Sequence, residues 1–329
     1  MEMQGKLARL KAAGMRQDIV LLLLFCLMVL AFSLVNPRFF SIRAMANILQ
    51  DFSPVVLMAI GQTFVIASRG IDLSVGSVLG LAGVSMALVI RAANEAGMDP
   101  WLAIALGLAV AIGVGVVVGL VNGLLITYCR LVPFVATLAT MGAAAGLSLV
   151  LTGGTQIAGA PKEVILLGNA TYLGALTVPV IVVFLIIVVS WAFMSRARFG
   201  RWTYAVGSNP FAARGAGIDV ESHLIKLYLL SGVLAALAGA FVYFRLGSGS
   251  PLSGRGGELN AIAATVIGGV SLLGGTGKLS GVVIGALITT AVLSGLILIG
   301  VQPNWQQIVV AALIAIAVGA QGLGAKGGR

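Results

Sequence analysis

SRARFGRWTYAVGSNPFAARGAGIDVES, Ser195–Ser222, is the longest polar interruption in a chain that is otherwise almost continuously apolar. It carries Arg196, Arg198, Arg201 and Arg214, with Lys226 just beyond, and apolar runs close it on both sides. Within it Asn209 can cap orphan helix amides, Pro210 suits a first helical position, and Gly215 and Gly217 can end a turn. The pattern predicts a short capped helix hung between two membrane spans. Such a helix is placed for a partner to touch; the plainer alternative is an ordinary cytoplasmic loop.

Working outward, the totals leave one solvent for the rest of the chain. Of 329 residues, 59% are hydrophobic and 9% charged, and mean hydropathy is +1.10. No water-soluble domain hides that much apolar surface, so lipid must surround most of it. The 45 glycines agree, because small residues let membrane helices approach closely. Cys26 and Cys129 form no metal or redox pattern, and His223 is the only histidine, which removes a histidine-based metal site or triad. No metal and no cofactor is expected. Near the N-terminus, Lys6, Arg9, Lys11 and Arg16 flank the apolar run Ile19–Val35. That run is long for a signal core and no small-residue cleavage site follows, so it reads as an uncleaved first span.

Apolar runs of membrane-crossing length give about ten spans in one domain over residues 1–329. After span 1, Ser41 opens a short helix with Ile42, Met45, Ile48 and Leu49 on one face, predicted to lie along the membrane surface. Spans 2 and 3 cover Phe52–Ala67 and Ser74–Ile90, spans 4 and 5 Trp101–Thr127 and Pro133–Leu151. The polar loop Thr152–Ala175 precedes span 6, Leu176–Met194, and span 7 is His223–Leu246. A short or irregular span 8 falls near Leu259–Leu273, and Leu279–Ile299 and Trp305–Gln321 complete the set. An even count places both termini on one side. Putting them inside assigns 14 of the 20 lysines and arginines to inner segments, which sets Ser195–Ser222 in the cytoplasm. The net charge of +10 is then topological, and nucleic-acid binding is not expected. In span 4, Gly107, Ala111, Gly115, Gly119 and Gly123 make one narrow face, as do Gly277, Gly281, Gly285 and Thr289 in span 9; both read as packing seams.

Two stretches carry intramembrane polarity. In SRGIDLSVGS, Ser68–Ser77, Asp72 lies between apolar spans, where a carboxylate is costly. Asp72 and Ser74 either line a transport route at a helix break or simply cap span 3, with Arg69 as a candidate ion partner for Asp72. In Gly257–Gly281, Glu258 and Asn260 open an apolar segment broken at Gly268–Gly269 and Gly274–Gly275, either an irregular element beside the pathway or a loop with a short span. Its GGTGKLS fragment is not a phosphate loop: Leu272 stands where the first glycine belongs, and Leu279 follows Lys278 where Ser or Thr is required. Gln62 and Asn122 are isolated polar groups within spans, read as interhelical hydrogen-bonding groups. No paired-carboxylate or Ser/His/Asp arrangement supports catalysis.

Four stretches together resemble the permease subunit of bacterial ribose/xylose-type ABC sugar importers: NPRFFSIRAMANIL, GIDLSVGS, YAVGSNPFAARGAGID and ELNAIAATVIGGVSLLGGTGKLSGVVIGALI. The resemblance implies an all-α permease in a bacterial inner membrane, both termini cytoplasmic. It also implies a second permease copy or sister permease, cytoplasmic ABC ATPase subunits, and a periplasmic sugar-binding protein. By position, Gly207, Asn209, Ala212, Ala213, Arg214, Gly217 and Ile218 match the segment that docks on the ATPase, and Pro210 sits among them. Arg69 stands where the family usually has Gly, and Asn260 where it commonly has Asp. The expected function is a non-catalytic, membrane-spanning subunit of an ATP-driven importer for a monosaccharide or related polyol. Asn209, Pro210, Ala213 and Arg214 are expected to couple it to ATP hydrolysis. Asp72, Ser74, Glu258 and Asn260 are expected near the path. The alternatives are a branched-chain amino-acid-type ABC permease and a stand-alone secondary transporter.

Overall fold

A computed structural model describes the backbone of residues 2–326 and the side chains of residues 18–302 and 305–319. The described chain is helical throughout. Its helices are α1 Glu2–Val35, α2 Ile42–Ala67, α3 Val75–Glu95, α4 Pro100–Thr127, α5 Pro133–Thr152, α6 Lys162–Asn169 and α7 Val178–Ser195. They continue with α8 Arg198–Ser208, α9 Pro210–Gly215, α10 Val220–Leu246, α11 Gly257–Ile267, α12 Leu279–Leu298 and α13 Pro303–Lys326. Eight of them, α1–α5, α7, α10 and α12, are long and apolar enough to cross a membrane, and α11 and the Trp305–Gly319 part of α13 are shorter apolar segments. The protein is a multi-pass membrane bundle.

Burial sorts these helices into a centre and a rim. In the apolar windows of α2 and α10, 72% of residues are buried, and 67% in α3, against 28% in α4 and 6% in α1. α2, α3 and α10 are therefore surrounded by protein, while α1 lies along the edge with most of its surface left to lipid. The predicted surface helix at Ser41–Leu49 is instead the first part of α2, which runs unbroken from Ile42 through Pro54 to Ala67. Proline removes one backbone donor, and the helix continues through it with Phe52, Ser53, Val56 and Leu57 buried around it.

The small-residue stripe of α4 is the seam against α10. A Cβ at Gly115 would strike the Gly232 carbonyl and Ala236, and one at Gly119 the backbone of Tyr228 and Leu229. On α12, Gly281 and Gly285 lie against the carbonyls of Gly268 and Ala264 of α11. With no hydrophobic drive between helices in lipid, this backbone-to-backbone approach supplies the attraction.

α3 begins inside the bundle rather than at its end, after the buried Asp72 and Ser74. After α10, residues 249–254 run as irregular backbone beside α3: Gly249 touches Ala87 and Val84, and Gly254 touches Gly76. Gly256, at φ +78°, then turns the chain into α11. Gly249 and Gly254 are buried against α3, while Leu252 between them is exposed.

Candidate functional site

The polar interruption folds into two helices rather than one. α8 follows α7 after a short link, and α9 is the capped turn. Asn209 accepts hydrogen bonds from Phe211 N at 3.0 Å and Ala212 N at 3.1 Å, Pro210 opens the helix, and Gly217 leaves it at φ +81°. Asn209, Ala212, Arg214 and Gly217 are exposed, as expected of a surface a partner reads. Ala213 is not: it is buried with Val206 and Val220, and Ile218 packs on the same small cluster. Ala213, expected among the coupling residues, thus faces its own protein instead. On a six-residue helix one face must hold the helix to its own protein. Arg214 forms an ion pair with Glu221 of the same chain, so the side chain expected to be free for a partner already has a carboxylate.

Phe211, 82% exposed on this short helix, is the residue that sequence reasoning passed over. A large apolar side chain directly after the capping Asn-Pro was the available signal. It belongs to the surface that Asn209, Ala212 and Arg214 form.

Gly207 faces inward, where three segments meet. It lies against the Ala67 carbonyl and Gly275 N, and Gly275 N donates to that same carbonyl at 2.8 Å. Arg69, held at φ +69°, donates from Nε to the Leu273 carbonyl at 3.0 Å and from its guanidinium to the Ser208 carbonyl at 2.7 Å. Tyr204 donates to the Gly277 carbonyl at 2.7 Å, and burial pushes its phenol up to about 12, so it stays a donor. The end of α8, the α2–α3 link and the 271–277 loop are thereby one unit, joined to α9 through Ser208 and Asn209.

Arg69 does not pair with Asp72. The carboxylate points the other way, into the bundle. Its Oδ1 accepts from Ser74 N at 3.0 Å and Ser74 Oγ at 2.6 Å, and its Oδ2 accepts from Ser231 Oγ at 2.7 Å. Ser74 Oγ in turn accepts from Asn122 Nδ2 at 2.9 Å, and Thr140 donates to Asn122 Oδ1 at 2.6 Å. Gln62 bonds the Asp72 backbone through both its amide atoms. These six side chains come from α2, α4, α5, α10 and the start of α3, and all are buried. Ser74 is the residue at the helix boundary, but neither it nor Asp72 caps α3 with its side chain. The group fastens a helix start inside the bundle; Asn122 is an interhelical hydrogen-bonding group as expected, whereas Gln62 bonds the backbone of the α2–α3 link.

Glu258 and Asn260 lie elsewhere, at the start of α11. With Arg255, Gln306 and Gln307 they line a polar cavity of about 420 Å³ between α11 and α13. Asp72 and Ser74 line none of it, so the four residues expected near one path divide between a sealed network and an open cavity.

A family model described as the branched-chain amino acid transport system / permease component matches residues 44–318, across both the α9 region and the α11–α13 cavity. The chain belongs to this permease family. Among relatives of the permease, the ribose import permease protein of Bacillus subtilis (strain 168) is 42% identical over 319 residues, covering 96% of each chain. The ribose import permease protein of Escherichia coli (strain K12) is 38% identical over 312 residues, 94% of each chain. The D-allose transport system permease protein of the same organism is 36% identical over 296 residues, 90% of the permease and 88% of the relative. No solved structure matches the permease.

Proposed function

We propose that this permease is the membrane subunit of an ATP-driven importer for a monosaccharide or related polyol. It receives substrate from a periplasmic binding protein, and a separate cytoplasmic ABC ATPase hydrolyses the ATP. It resides in a bacterial inner membrane with both termini cytoplasmic, and a second copy or sister permease completes the pathway. Relatives named for a pentose and a hexose align along nearly the whole chain, which favours a sugar over the branched-chain amino acids of the family description.

The observation that carries the mechanism is the placement of α9. Asn209, Phe211, Ala212 and Arg214 form an exposed surface, and the end of α8 that carries it, Gly207 and Ser208, touches Arg69 and the 271–277 loop. In our reading the ATPase grips that surface. Its closure moves α8 and α9, and Arg69 carries the displacement to the α2–α3 link and the 271–277 loop. The α2–α3 link leads into α3, and the 271–277 loop runs from the end of α11 to α12. Substrate passes the cavity of Glu258 and Asn260, whose carboxylate and amide suit sugar hydroxyls. Asp72 and Ser74 hold the start of α3 in place while α11 moves.

The test is co-expression with the ATPase and binding protein of the same transport system, comparing wild type with Phe211→Asp and Arg214→Glu. The wild type is expected to copurify with the ATPase and to take up labelled ribose or allose in vesicles only with ATP inside. Phe211→Asp is expected to lose copurification. Unchanged copurification and uptake in both folded variants would remove α9 as the coupling element.

A further inference from the structure

Two cavities on the edge of the bundle belong neither to α9 nor to the α11–α13 cavity. The first, about 670 Å³, is a groove between α1, the turn Pro37–Phe40, α2 and α12, walled by Phe25, Val29, Phe39, Met45 and Ala291. Its lining is almost wholly apolar, and Ser33, which also borders it, already spends its hydroxyl on the Val29 carbonyl at 2.6 Å. The second, about 780 Å³, is bordered by Arg38, Arg43, Asn47, Asp51, Arg245 and Ser294. Ile48 lines both, so an apolar groove and a cationic cavity adjoin at one buried residue.

The groove is a consequence of how α1 sits. That helix leaves most of its apolar window exposed and meets the bundle along one face, through Phe25, Met28, Val29 and Phe32, the last in a ring pair with Phe39 at 5.3 Å between centroids. In a bilayer an apolar space of this size opening to the hydrocarbon fills with hydrocarbon, because water there has no partners and apolar walls favour leaving it. The cationic cavity sits where polar and apolar surface change over, beside the lipid-exposed Phe40 and Ile42. It presents three guanidiniums to one carboxylate. Asp51 is taken by Arg245, and among the described residues Arg38 and Arg43 form no ion pair. The turn bearing Arg38 is fixed by Asn36, which donates to the Leu298 carbonyl at 3.0 Å, so the guanidiniums stand on anchored backbone. Guanidinium matches phosphate with paired donors, and basic cavities between membrane helices attract anionic headgroups.

We propose that this edge is a binding site for one anionic phospholipid. Its phosphate lies on Arg38 and Arg43 beside the Arg245–Asp51 pair, and one acyl chain occupies the groove between α1 and α2. The contiguous apolar groove selects a lipid over a free anion. The site does not rest on the transport reading, and it is tested without transport.

Full-length permease purified in detergent is analysed by native mass spectrometry and thermal denaturation with phosphatidylglycerol, phosphatidylcholine or inorganic phosphate. Phosphatidylglycerol is expected to remain bound and raise the Tm, and the other two are expected to do neither. Arg38→Gln with Arg43→Gln is expected to reduce retained phosphatidylglycerol about tenfold. Val29→Trp, which fills the groove and leaves the arginines in place, is expected to reduce it as well. An equal shift with inorganic phosphate alone would make this a small-anion site and overturn the lipid assignment. So would equal retention of phosphatidylcholine. Wild-type retention in a folded double variant, or in Val29→Trp should the double variant fail to fold, also removes it.

Discussion

Asp72 shows how much one buried carboxylate can organise without a counter-ion. Three donor bonds from Ser74 and Ser231 replace its water, and the donors themselves would be stranded without it. Asp72→Leu is therefore expected to cost about 1–3 kcal/mol for each donor left unpaired, seen as a lowered Tm in detergent. Asp72→Asn keeps one acceptor oxygen and should lose much less; equal losses would mean the network is not what holds α3. Glycine gives a second residue-scale contrast. Gly115→Ala must push the α10 backbone away and is expected to destabilise by about 1–3 kcal/mol. Gly113→Ala, on the same helix with open space around its Cβ position, should be neutral or stabilising by a few tenths to about 1 kcal/mol. Thermal melts of the pair decide whether close approach or helix propensity governs α4.

At the scale of elements, α9 is marginal by itself. Six residues make about one and a half turns, far below the length at which an isolated helix holds. Its order comes from the Asn209 cap and from Ala213 buried against Val206 and Val220. Asn209→Ala is expected to cost about 1 kcal/mol and to weaken ATPase copurification while the bundle Tm changes little, because the loss is confined to this turn. A collapse of the whole melt would show that α9 is part of the global fold instead. The Arg214–Glu221 pair is half-exposed and contributes about 0–1 kcal/mol, weak enough for a partner carboxylate to exchange with it.

For the whole molecule, the proposed mechanism links the α9 surface to α3 and the 271–277 loop through Arg69. A non-glycine residue at φ +69° carries about 1–2 kcal/mol of backbone strain, which its bonds to Leu273 and Ser208 roughly offset at about 0.5–1.5 kcal/mol each. Arg69→Gly relieves the strain and removes the bonds together. Its Tm is expected to stay within a few degrees of wild type, and ATPase copurification to persist, while ATP-dependent uptake falls several-fold. Uptake at the wild-type rate would exclude Arg69 as the transmitting residue.

Composition, run length and small-residue spacing were enough to determine an all-helical membrane bundle, the glycine seams of α4 and α12, and the capped turn at Asn209–Pro210. These features are local: hydrophobicity and helical periodicity lie along the chain, and a cap reaches only two or three residues. The partners across space were decided by the tertiary structure. Arg69 and Asp72, three residues apart, read as an ion pair. With a left-handed backbone at Arg69 the two side chains go different ways, one to the Leu273 and Ser208 carbonyls and one into the core. Ser231, 159 residues from Asp72, supplied a hydrogen bond no spacing announces. Ala213 looked available because it is small, and only the packing of α9 on Val206 and Val220 turned it inward. Phe40, Ile42 and Val29 are ordinary apolar residues in the sequence. What makes a groove of Val29 and its neighbours is the way α1, the Pro37–Phe40 turn, α2 and α12 come together, which no local pattern announces.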